Sequence, residues 1–103
     1  VADTFKKLAS GQLPSSAATI YTAATAAIVK RIKLVNVSGS TVTGIKVFQG
    51  GTAGANQQWP TLTLLANEGV EYDCDITMAA ADTLAGVAGT ATAVTYTLHG
   101  MEL

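Results

Sequence analysis

The stretch Val70-Glu71-Tyr72-Asp73-Cys74-Asp75-Ile76 decides the fold. Val70, Tyr72, Cys74 and Ile76 alternate without a break against Glu71, Asp73 and Asp75. A period of two residues puts one set on a buried face and the other in water, so this is a half-buried strand. The same alternation recurs near the end of the chain, where Val94, Tyr96 and Leu98 oppose Thr95, Thr97 and His99. Two further segments read as strands: Ile28–Val37, rich in β-branched residues, and Val42–Phe48, interrupted by Gly44. Ser38-Gly39-Ser40 between them predicts a short turn and an antiparallel hairpin.

Weaker strand signals cover Thr4–Ala9, Ala18–Ala23, Thr61–Leu65 and Thr83–Ala88. Turn residues separate them at Ser10-Gly11, Pro14, Gly50-Gly51, Trp59-Pro60, Asn67–Gly69 and Gly89. The expectation is an all-β fold of about eight short antiparallel strands in a jelly-roll-like β-sandwich. Ala23–Leu34 also contains good helix formers, but Ile28, Val29, Ile32, Val35 and Val37 turn the reading toward a strand. Met78–Asp82 is compatible with a short helical turn.

Length and composition fit one domain over residues 1–103, of a size that buries roughly two-thirds of its unfolded surface. Apolar residues make up 49% of the chain and charged residues only 13%, about half the usual share of charge. Thr and Ala fill the difference, which makes a surface suited to close protein contact. No apolar run approaches the ~20 residues that span a bilayer. The opening VADTFKKLASG lacks the apolar centre of a signal peptide, and a single cysteine, Cys74, allows no internal disulfide. Both point to assembly in a reducing cytoplasm.

Charge is unevenly placed. All 6 Lys and Arg lie before residue 47, and of the 7 acids only Asp3 does. Such polarity could align neighbouring copies head to tail. Alternatively the two halves interleave in one fold and the charges mix on its surface. The second reading is preferred, because charge order along a chain does not give topology.

Candidate chemistry is sparse. His99 has no visible partner, and no nucleophile motif such as G-x-S-x-G occurs. Cys74 falls on the inward side of its strand, where a thiol behaves as a small apolar group. Alternate acids on a strand stand about 7 Å apart, too far for Glu71, Asp73 and Asp75 to clasp one ion unaided. They read as a solvated or charge-guarded strand face, or as a contact with basic residues of another copy. Lys30-Arg31-Ile32-Lys33 is too small a patch for nucleic acid, and strict alternation would put Arg31 and Lys33 on one face with Lys30 on the other. No glycine-rich phosphate loop appears. No catalytic residue, cofactor, metal ligand or small-molecule substrate is expected. The loop Gly50–Trp59 ends on the only Trp, which either plugs one end of the sandwich or reaches a neighbouring subunit.

Four stretches carry a resemblance. DTFKKLASGQL and ATIYTA are followed by IVKRIKLVNVSGSTVTGIKVFQGG, and later by LTLLANEGVEYDCDITMAAADTLAGVAG. This succession of a polar opening, an IYT strand, a strand closing on L-x-N, a glycine-rich loop and an I-T-M-x-A-x-D-T-L step resembles small β-sandwich virion proteins of tailed bacteriophages. The resemblance implies a capsid decoration (cement) protein on the capsid exterior, often a trimer, that binds copies of itself and the major capsid protein. A neck, tail or fibre role is the alternative it leaves open, with a carbohydrate-binding module less favoured and an enzyme least. On this reading residues 1–12 form an extended arm anchored by Phe5 and Leu8. The candidate interface residues are Phe5, Leu8, Arg31, Lys33, Trp59, Glu71, Asp73 and Asp75.

Overall fold

The computed structural model describes residues 5–58 and 60–103. Its strands are β1 (Lys6–Gln12), β2 (Ala18–Thr22), β3 (Ala27–Asn36), β4 (Val42–Gln49), β5 (Leu62–Leu64), β6 (Gly69–Met78), β7 (Thr83–Val87) and β8 (Val94–Glu102). They form two four-stranded sheets, ordered β1-β8-β3-β6 and β2-β7-β4-β5, and every neighbouring pair is antiparallel. Strands from both ends of the chain lie side by side in each sheet. This order is that of a jelly roll, in which two four-stranded sheets cover one core.

The core lies where the inward sets of both sheets meet. Val29, Ile32 and Leu34 from β3 and Val94 and Leu98 from β8 face Ile45 and Val47 from β4 and Leu84 from β7, all fully buried. Removing each such side chain from water contributes about 1.5–3 kcal/mol. The alternation in β6 is present as expected: Glu71, Asp73 and Asp75 are exposed, while Val70, Tyr72, Cys74 and Ile76 are sheltered.

Several local expectations are corrected. Ser38-Gly39-Ser40 does not make a hairpin: it carries the chain from one sheet to the other, because β6 and β8 already occupy both edges of β3. Asn36, fully buried at the end of β3, fixes this corner. Its Nδ2 donates to the carbonyls of Ser40 (2.8 Å), Leu64 and Leu65 (both 3.1 Å), while Oδ1 accepts from the Ser38 N–H and hydroxyl. Ser10-Gly11 is not a turn but lies inside β1. Gly11 faces Tyr96, and its missing side chain leaves room for that ring. Met78–Asp82 holds no helix. Asp82 accepts from the Ala79 N–H (2.9 Å) and closes a tight turn with Ala81 at φ 74°.

The extended arm is also corrected over its described part. Residues 6–12 pair along β8 as an edge strand of the chain's own sheet, and Leu8 packs on the chain's own core. The first four residues lie outside the described ones.

Candidate functional site: the outer face of the first sheet

Every charged residue singled out from the sequence stands on the outer face of the β1-β8-β3-β6 sheet. Two cross-strand rows define it: Lys7, His99, Arg31 and Asp73, and next to them Ser10, Thr97, Lys33 and Glu71. The pairing of β3 slips between Val29 and Arg31 against both of its neighbours. Val29 points inward and Arg31 outward, so the alternation changes phase at Lys30 and brings that side chain out as well. The expected split of Lys30 from Arg31 and Lys33 is therefore wrong.

Three ion pairs follow along the β3–β6 boundary. Lys30 binds Asp75, Arg31 Nε lies 3.2 Å from Asp73, and Lys33 Nζ lies 3.6 Å from Glu71. The acidic strand thus meets its basic counterpart within one chain, and the interleaved reading of the charges holds. Bonding to Asp75 and its charge raise the Lys30 ammonium above its ordinary value. Exposed pairs of this kind add little net stability, so the ladder mainly fixes register and cancels charge. Asp73 and Asp75 keep most of their side-chain surface in water, 84% and 75%. Lys7 has no ion pair among the described residues.

Phe5 is not in the core. Half exposed, it lies over this face and stacks on His99, with ring centroids 6.2 Å apart and planes 13° from parallel. The His99 Nδ1 beneath is buried without a hydrogen-bond partner among the described residues. Beside Phe5 an open cleft of about 400 Å³ is lined by Lys30, Arg31, Asp73, Cys74 and Asp75. Burial pushes the Cys74 thiol up from its ordinary value, and its Sγ donates to the Val29 carbonyl at 3.3 Å. A thiol kept protonated in this way is a poor nucleophile. No group of three His, Cys, Asp or Glu side chains among the described residues is placed to hold a metal ion.

At the end of the sandwich Glu102 accepts from Lys6 (2.8 Å) and from the Tyr21 hydroxyl of the other sheet (3.4 Å). The bond and charge of Lys6 hold the Glu102 carboxyl below its ordinary value. Burial, and then the Glu102 charge, raise Tyr21.

Trp59 lies outside the described residues. The loop before it folds back on its own sheet through a 3₁₀ turn at Gly54–Asn56, a bridge from Gln57 to Phe48 and a bond from the Gln58 N–H to the Val47 carbonyl (2.9 Å). Phe48, on the outward side of β4, is only 4% exposed. The structure thus gathers Phe5, Arg31, Lys33, Glu71, Asp73 and Asp75 on one face and sends Leu8 to the core side. The sequence reading missed Lys7 and Lys30. The three-residue step between the inward-facing Val29 and Ile32 was the available sign of the slip at Lys30.

Among the described residues no helix is long and apolar enough to cross a membrane. Comparison with known proteins finds no family model, no curated protein and no solved structure that matches this chain.

Proposed function

We propose that this chain is a structural protein of a tailed-phage particle: a decoration protein that binds the outside of the capsid shell and stabilises it. The observation that carries the proposal is the outer face of the first sheet. It is a broad strand surface whose charges are largely cancelled in pairs along β3 and β6. The chain's one cysteine lies on the sheltered side of β6 and is held protonated, so the face is suited to contact rather than to reaction. The jelly roll beneath it is a fold that capsid proteins use, although a fold by itself assigns no function. The resemblance of the sequence to small phage virion proteins points the same way.

On this proposal the chain has no enzymatic activity and needs no cofactor. Its partners are copies of itself and the major capsid protein, and its place is the capsid exterior. The test has two parts. Quantitative mass spectrometry of purified particles should give hundreds of copies, in a simple ratio to the major capsid protein. Shells lacking the protein should take it up on co-sedimentation and withstand a higher temperature with it bound. Six to a few dozen copies per particle would move it to the neck or tail, and absence from the particle would end the virion reading.

A further inference from the structure

The two free edges of the first sheet carry opposite charge. β1 lies at one edge with Lys6 and Lys7, and β6 lies at the other with Glu71, Asp73 and Asp75. Strand directions alternate across the order β1-β8-β3-β6, so β6 runs opposite to β1. A second copy placed beside β6 in the same orientation therefore presents its β1 antiparallel to β6, as pairing across the gap requires.

The backbone polar groups agree. The Leu13 N–H donates to the Val94 carbonyl (2.9 Å), and successive N–H groups of a strand point to alternate sides. Gly11 and Ala9 thus turn their N–H groups to β8, and Gln12 and Ser10 turn theirs to the open edge. On β6 the Asn36 N–H donates to Glu68 (2.8 Å) at the start of the ladder, so Val70 and Tyr72 face β3 while Glu71 and Asp73 face outward. The outward-bonding residues of both edges also carry their side chains on the same outer face. Among the registers that meet these conditions, one sets Gln12 opposite Glu71 and Ser10 opposite Asp73. The irregularity between Lys7 and Ala9 then brings Lys7 opposite Asp75. Lys7, with no ion pair among the described residues, would gain one, and Asp75 is open enough to accept it.

We infer that copies of this chain associate edge to edge, β1 of one pairing with β6 of the next, to join their first sheets into a continuous surface. The contact is heterologous, so it closes into a ring when the rotation between copies permits. The inference deepens the self-association in the proposed function, but its test uses the protein alone and no shell.

Ser10→Pro removes an N–H at the β1 edge, and Glu71→Pro removes one at the β6 edge; neither takes a bond from the sheet's interior. Each variant by itself should be monomeric in analytical ultracentrifugation, with circular dichroism like that of the parent. Mixed, they should form a 1:1 dimer and nothing larger, since each retains one working edge. In parallel, K7E and D75K should each weaken association of the full chain about fivefold, and the double variant should restore it. Should a proline variant fail to fold, this charge pair decides. An S10P protein that still self-associates, a double charge variant no better than either single one, or a parent chain monomeric at all concentrations would each overturn the inference. In the last case the charged edges guard against pairing instead. Uptake by shells is measured separately and can succeed whatever the outcome here.

Discussion

A single methyl group at Gly100 would be driven into the carbonyl oxygen of Ile28, beside the slip at Lys30. Gly100→Ala should therefore cost about 3 kcal/mol, as overpacking against backbone does. Chemical denaturation will read it, and a cost below ~1 kcal/mol would show that the slip can relax. Asn36 is equally exacting for a chemical reason. Its amide donates to three carbonyls and accepts from Ser38, so Asn36→Ala leaves buried partners unpaired at about 2–3 kcal/mol. Asn36→Asp should be worse than Asn36→Ala. It keeps the acceptor, loses the donor, and turns a negative charge toward carbonyl oxygens. Equal melting temperatures for the two variants would argue that this corner is solvated.

At the scale of elements, the Lys6–Glu102–Tyr21 contact ties the edge strand β1 and the end of β8 to the opposite sheet. The Glu102 carboxyl titrates below its unfolded value near 4.5. Its contribution is present above that pH and is lost as pH falls through the lower folded value. Glu102→Gln should lower the melting temperature slightly at pH 7, and the difference should shrink as pH is taken below 4.5, which differential scanning calorimetry can follow. How far elements were legible in the sequence depended on what set them. The β6 and β8 alternations were plain, since strict period two needs only one buried face. The β3–β4 corner was not, because Ser38-Gly39-Ser40 suits a hairpin as well as a crossing, and only occupancy of both edges of β3 excludes the hairpin. Gly11 misled for a similar reason: a glycine that makes room for Tyr96 looks the same in sequence as one that makes a turn. The site was half legible. Glu71, Asp73 and Asp75 were placed correctly on a wet face, but their partners depended on a register that slips at Lys30.

For the whole molecule, only the β4–β5 connection joins consecutive strands within one sheet. Each remaining connection crosses the sandwich, and pairs such as β1 with β8 unite the two ends of the chain. Loop closure must precede the reward of such pairings, so refolding should take milliseconds to seconds and not microseconds. Stopped-flow fluorescence after dilution from urea measures this, and a microsecond phase carrying the full amplitude would contradict it.

The pairing of β1 with β8 also governs how the molecule bears a load. Lys6 lies opposite Gly100, so the start of one edge strand sits beside the finish of its neighbour. A pull applied at these two points acts across the hydrogen bonds and opens them singly, like a zipper. Tension between Lys6 and Gly100 would therefore peel β1 away at low force. A pull along the strands, from Gln12 on β1 against Gly100 on β8, would strain all of those bonds together. The same fold is mechanically soft in one direction and stiff in another, and the points at which it is held decide which is felt.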